Sequence, residues 1–177
     1  METLPGSAQR EPAVYAAERS AVFGREWLVF ARADEVPAPG TSVAKAIAGY
    51  PVVVVRDLEG ELRGFHNVCR HRAAQVAKDG SHPCKGGLVC GYHGWSYELD
   101  GSLRKARDFS DDPLAPDEWG LHPIRVGEWC GLVWVNLDPG APALLDDLGG
   151  FAREADDFPV NDYRFSHEVV HDLACNW

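Results

Sequence analysis

Two short segments carry the side chains whose types and spacing could do chemistry. In "VCRHR", Cys69 and His71 stand two residues apart, and in "CGYHGW", Cys90 and His93 repeat the pair with one more residue inserted. Eighteen residues separate His71 from Cys90. Thiolate and neutral imidazole are ligands for zinc and for iron alike. A tetrahedral zinc site takes two Cys and two His, but zinc fingers usually present a cysteine pair and then a histidine pair on a helix, whereas here each segment mixes the donors. Mixing has a chemical reason if two metals are bound. Thiolates suit one iron of a 2Fe-2S cluster and imidazoles the other, so that each segment serves both irons. Gly91 and Gly94, with Gly86 and Gly87 ahead of them, would let backbone N–H groups approach bridging sulfides, and Trp95 would roof the group against water.

The elements that must position these segments read as strands and turns. Pro12 followed by Val14, Ala17, Ala21 and Val22, with Gly24 behind, predicts a short helix that packs as a cap. Residues 27–30 read as a strand, 36–40 as a turn region and the valines of 52–56 as a buried strand. Gly60 separates that strand from 62–66, and Asp100-Gly101 separates 95–99 from Leu103; both are hairpin signals. A third pairing is expected between 124–126 and 131–137, joined around 127–130. Between the first two hairpins, 73–88 is a long loop of the kind that serves a function. A short acidic helix over 144–158 and a final strand over 163–175 complete the reading.

With these elements in place, the segments resemble a known family. "HNVCRHR", "CGYHGWSYELDGSL" and "GLVWVNLDP", together with Tyr15, Glu18, Phe23 and Trp27, are similar to the N-terminal half of Rieske non-haem iron oxygenase large subunits. The resemblance implies a mainly β fold: an antiparallel Rieske β-sandwich or barrel with a two-loop cluster-binding subdomain and short flanking helices. It implies a Rieske-type 2Fe-2S cluster with Cys69 and Cys90 on one iron and His71 and His93 on the other. The respiratory-chain branch carries an extra cysteine in each loop; Ala74 and Tyr92 stand there instead, which implies the lower-potential branch. The family usually has glycine where this chain has Ala73, so a tight backbone approach is altered there and a shifted potential is expected. "ACNW" at 174–177 looks like the strand that leads into the family's catalytic domain. On this reading 1–35 is an N-terminal helix and cap, 36–140 the Rieske domain, and 141–177 an acidic helix and strand leading out of it. The implied role is electron transfer for an oxygenase, an oxidoreductase. Its donor would be a ferredoxin or flavin reductase, a mononuclear Fe(II) would lie in a full-length or partner chain, and the full-length protein would be a homo-oligomer. A free-standing Rieske ferredoxin is the alternative, though such carriers are usually shorter.

Composition bounds the rest. A chain of 177 residues that is 45% apolar can bury a core. Seventeen basic against 27 acidic residues give a net charge of −10, which would repel a phosphate backbone. "METLPGSAQREP" lacks the apolar segment of a signal peptide and no run is long enough to span a membrane, so a soluble cytoplasmic chain is expected. Five cysteines without a secretory signal are thiols or ligands by default, and Cys84, Cys130 and Cys175 are read as core or loop residues. Residues 63–107 hold eight Lys or Arg against three acids, which reads as a set of solvated loops rather than a docking face for an acidic protein. His167-Glu-Val-Val-His171 matches the zinc-protease pattern HExxH, but the alternation of 165–173 is strand-like and puts the two histidines on no common helical face. His66, His82, His122 and the acidic pairs at 111–112 and 156–157 are assigned no role.

Overall fold

The computed structural model describes residues 3–107, 109, 114–155 and 163–175. Among the described residues, ten strands form two antiparallel sheets. A curled seven-stranded sheet has the order β1-β10-β9-β4-β3-β2-β5, and a small sheet has the order β6-β7-β8. The strands are β1 (Leu28–Arg32), β2 (Thr41–Ile47), β3 (Tyr50–Arg56), β4 (Leu62–His66), β5 (Gly80–Pro83), β6 (Leu88–Val89), β7 (Ser96–Tyr97), β8 (Leu103–Lys105), β9 (Pro123–Trp129) and β10 (Leu132–Asn136).

The valine run sits at the centre because a β-strand alternates its side chains and this one has apolar matter on both faces. Val52 and Val54 join Phe30, Val36, Val43, Val133 and Val135 in one core. Val53 and Val55 join Phe65, Trp95, Tyr97 and Leu103 in the other, together with Cys69 and Cys90. The second core is therefore the floor on which the two candidate ligand segments stand.

The predicted hairpins form at β3–β4, β7–β8 and β9–β10. Gly101 closes the second of them at φ +89°, where a Cβ would lie 2.3 Å from a ring carbon of Phe65, so no other residue fits. The third turn is not at 127–130 as expected. Strand β9 runs on to Trp129, and Cys130-Gly131 make the two-residue connection with φ of +55° and +69°. Such a tight hairpin turn needs positive φ at both central residues, and Asn-Gly is its usual signature. Ala48-Gly49 turns β2 into β3 in the same way, at φ +48° and +77°. Neither dipeptide carries the usual first residue, so neither turn, nor the end of strand β2, has that local signature. The long loop 73–88 also contains the edge strand β5, whose four residues are all exposed.

Helix α1 (Pro12–Ala21) starts on proline and buries no residue. It is fixed to the β2–β3 turn by Arg19, whose Nε donates to the Ala48 carbonyl at 2.8 Å and whose guanidinium lies 4.9 Å from the Tyr50 ring centroid. The single helix expected over 144–158 is instead two, α2 (Leu144–Leu148) and α3 (Gly150–Glu154), because Gly149 between them takes φ +54° and ψ −121°; 156–158 lie outside the described residues. Nor is 163–175 a strand. It pairs with no strand among the described residues, and its apolar residues are exposed, Val170 by 76%. Alternation builds a strand only where a sheet edge accepts its hydrogen bonds. His167 and His171 are exposed and not helical, so the HExxH match lacks the geometry of a metalloprotease.

Candidate metal centre

The two segments that carry the candidate ligands fold as the same finger. In the first, which follows β4, the Cys69 N–H donates to the Ala74 carbonyl at 2.8 Å and the Ala73 N–H donates back to the Cys69 carbonyl at 3.0 Å. In the second, between β6 and β7, the Cys90 N–H donates to the Trp95 carbonyl at 2.8 Å and the Gly94 N–H to the Cys90 carbonyl at 3.0 Å. Both loops close from cysteine to the fifth residue after it, and in both the fourth residue turns left-handed: Ala73 at φ +55° and Gly94 at +73°. The extra residue between Cys90 and His93 is absorbed inside an otherwise identical loop.

Two side chains outside the ligand set hold the fingers. Asn67 is buried at the base of the first, and its Oδ1 accepts from the Val76 and Ala77 N–H groups at 3.0 and 2.8 Å while Nδ2 donates to the Ala77 carbonyl at 2.8 Å. Tyr97, fully buried on β7, crosses to the first finger. Its hydroxyl lies 3.2 Å from Cys69 Sγ and accepts from the Arg70 N–H at 3.0 Å. Neither residue is singled out by donor type or spacing. Their only linear signal is adjacency, in "HNVC" and "HGWSY", and what they reach is nine or more residues away in the chain.

Between the fingers the donors separate by type. Cys69 and Cys90 are buried to 3% and 2% exposure, while His71 and His93 are half-buried. Burial pushes the Cys90 thiol above its ordinary value and proximity to Cys69 adds to this, while the N–H groups of Tyr92 and His93, hydrogen-bonded to the sulfur, act the other way. The imidazole rings of His71 and His93 stand 4.7 Å apart at 70°. Trp95 lies parallel to His71 at 5.1 Å and 7°, buried, with Trp119 and Phe109 edge-on to it. Nδ1 of His93 is buried without a hydrogen-bond partner, which is how an imidazole nitrogen looks when its place is to bind a metal. No three His, Cys, Asp or Glu side chains gather at a single-ion position among the described residues. Two neighbouring buried thiols with two less buried imidazoles in edge contact thus suit a group with a sulfur-ligated and a nitrogen-ligated end better than one zinc ion.

The remaining candidates lie elsewhere. His66 ends β4 and donates its N–H to the His122 carbonyl at 2.9 Å; burial and the nearby His122 hold its imidazole below the ordinary range. His82 is exposed at the sheet edge. All five cysteines are thiols rather than disulfides: Cys84 is buried, with its pKa pushed up by burial, and Cys175 is exposed. Asp111, Asp112, Asp156 and Asp157 lie outside the described residues.

The sequence matches the family described as the Rieske [2Fe-2S] domain over residues 26–115, which takes in both fingers and strands β1 to β8. The chain belongs to the Rieske [2Fe-2S] domain family. A Rieske domain is one that carries a 2Fe-2S cluster, and the donor set between the fingers fits it. Over 99% of its length the chain is 34% identical to the chloroplastic choline monooxygenase of Beta vulgaris, and 31% identical to the carnitine monooxygenase oxygenase subunit of Escherichia coli K12. It covers 40% and 47% of those two proteins, so this Rieske chain spans less than half the length of these curated relatives. Among solved structures, the quaternary ammonium Rieske monooxygenase CntA in complex with γ-butyrobetaine superposes with a TM-score of 0.80 at 31% identity, covering 88% of this chain and 44% of that one. Naphthalene 1,2-dioxygenase from Rhodococcus sp. bound to indole gives 0.78 at 34% identity, with 87% and 36% covered. The expected antiparallel β fold is therefore the one found, and no helix among the described residues is long and apolar enough to cross a membrane.

Proposed function

We propose that Cys69 and Cys90 hold one iron of a 2Fe-2S cluster, that His71 and His93 hold the other, and that the chain is the electron-transfer part of a longer oxygenase. Bound there, the cluster takes up and gives up one electron at a time. The observation that carries the ligand assignment is the convergence itself: two buried thiols side by side behind two imidazoles 4.7 Å apart, one with an unpartnered buried Nδ1. The chain's residues then have distinct tasks. The Tyr97 hydroxyl and the N–H groups of Tyr92 and His93 aim positive charge at the sulfurs, which favours the electron-rich state. Trp95 fixes the plane of His71 and keeps water from the sulfur side. The half-buried imidazoles form the edge through which an electron passes to an acceptor outside the domain.

Similarity to choline and carnitine monooxygenases over nearly the whole chain, helix α1 and the 163–175 segment included, supports an oxygenase part over a free carrier. In that setting 1–35 is a cap, 36–140 the Rieske domain and 141–177 the lead into further chain. The donor is a ferredoxin or flavin reductase, and the acceptor is a mononuclear iron used for O2-dependent hydroxylation by a cytoplasmic homo-oligomer. A CntA structure is described in terms of inter-subunit electron transfer, which supports an acceptor in a neighbouring subunit.

The test is iron and sulfide reconstitution of the protein and of two variants, followed by visible absorption, iron content and reduced-state electron paramagnetic resonance. His93→Cys keeps a cluster of lower potential, since thiolate replaces imidazole on the nitrogen-ligated iron, while Cys90→Ser loses most of the bound iron. Equal retention in both variants contradicts the ligand assignment.

A further inference from the structure

A cation lies against the second finger that the ligand set does not account for. Arg107, exposed just beyond β8, runs across the backbone of Gly94: a Cβ there would stand 3.2 Å from Cδ and 3.3 Å from Nε of Arg107. Glycine at 94 thus permits the left-handed turn of the finger and also the close approach of this side chain. Arg107 joins Cys90, Tyr92 and His93 in lining a surface cavity of about 580 Å³.

Three other arginines of the basic segment are already engaged, while Arg72 lies exposed beside His71 on the first finger. Arg63 pairs with Asp57 and Arg104 with Glu98, while Arg70 donates to the Gly120 carbonyl and lies over Trp119. Arg107 forms no ion pair with an acid among the described residues. Placed beside the loop that carries Cys90 and His93, its charge acts on any group held between the fingers that gains an electron. A cation stabilises the more negative, reduced state, and it does so less as salt rises because the side chain is exposed.

We infer that Arg107 sets the charge at the second finger and holds up the reduction potential of the metal group bound there. The inference rests on the cluster-binding reading above. It goes beyond that reading in giving a function to a residue that is not a ligand.

The experiment compares the cluster-loaded protein with Arg107→Gln and Arg107→Lys by redox titration, followed by visible circular dichroism at low and high ionic strength. At low salt, Arg107→Gln shifts the oxidised-to-reduced ratio at a fixed potential about threefold toward oxidised, or about 28 mV for one electron. Arg107→Lys stays at the wild-type value, and the gap between wild type and Arg107→Gln narrows at high salt. A potential unchanged in Arg107→Gln overturns the inference, as does one that falls equally in Arg107→Lys, which would make packing rather than charge the cause. A wild-type protein that binds no cluster would instead sink the ligand assignment, so the two failures are told apart.

Discussion

Replacing Tyr97 by phenylalanine isolates one hydrogen bond to one sulfur. The hydroxyl oxygen already accepts from the Arg70 N–H at 3.0 Å, which leaves its own proton for Cys69 Sγ at 3.2 Å. Burial, and then the neighbouring thiol, push the phenol pKa above its ordinary value, so the group stays a donor. A hydrogen bond to a charged acceptor is worth about 1.5–3 kcal/mol. One added electron raises the charge on this sulfur only in part, so about a third of that value separates the two oxidation states. That is about 0.5–1 kcal/mol, which corresponds to about 20–45 mV for a one-electron couple. Tyr97→Phe therefore lowers the midpoint potential by that amount in a redox titration. It also strands the Arg70 N–H, at a stability cost of about 1–3 kcal/mol seen in thermal unfolding. A variant that keeps its cluster at an unchanged or higher potential would refute the reasoning, because the hydroxyl would then not be donating to the sulfur.

Two further outcomes follow from the backbone and from charge. Ala73 sits at φ +55°, where Gly94 occupies the equivalent place in the other finger. Relieving the left-handed strain outweighs the added freedom of the unfolded chain, so Ala73→Gly stabilises by about 1 kcal/mol and raises Tm by about 2–4 °C. A lower Tm on scanning calorimetry would show that alanine is not strained there. Asp57 is buried in the β3–β4 turn, which by itself would raise its pKa. The Arg63 side chain and the Glu61 and Glu59 N–H groups outweigh this and hold the carboxyl below 3.8. A depressed carboxyl stabilises the fold fully above its unfolded value and loses that contribution as pH falls through its folded one. Denaturant titrations from pH 5 downward should therefore show the wild type losing an advantage over Asp57→Asn below about pH 4; a constant difference between the two would sink the claim.

Much of the site is legible in the chain because metal chemistry is a matter of donor type and short spacing. Cys69, His71, Cys90 and His93 could be picked out because each pair lies within one turn, where the backbone itself fixes how far apart the donors stand. The hairpins at Gly60 and Gly101 could be read for a similar reason, since positive φ is a local demand that glycine meets at little cost. The turns at Ala48-Gly49 and Cys130-Gly131 escaped because their first residues adopt positive φ under pressure from the strands on either side, and no local preference announces that.

What lay beyond local reach needed the fold. The Tyr97 hydroxyl reaches Cys69 from β7, Asn67 clamps a finger ten residues wide, and Arg107 lies over Gly94. Each contact depends on where two separate stretches of backbone come to rest. The segment 163–175 shows the converse: its alternation is written in the residues, yet strand structure requires ladder hydrogen bonds, and the segment makes none with a described strand. Sequence alone determined which atoms could bind metal and in what order they come. Tertiary structure decided which of them face one another and what surrounds them, because burial and distance belong to the packed molecule and not to the residue.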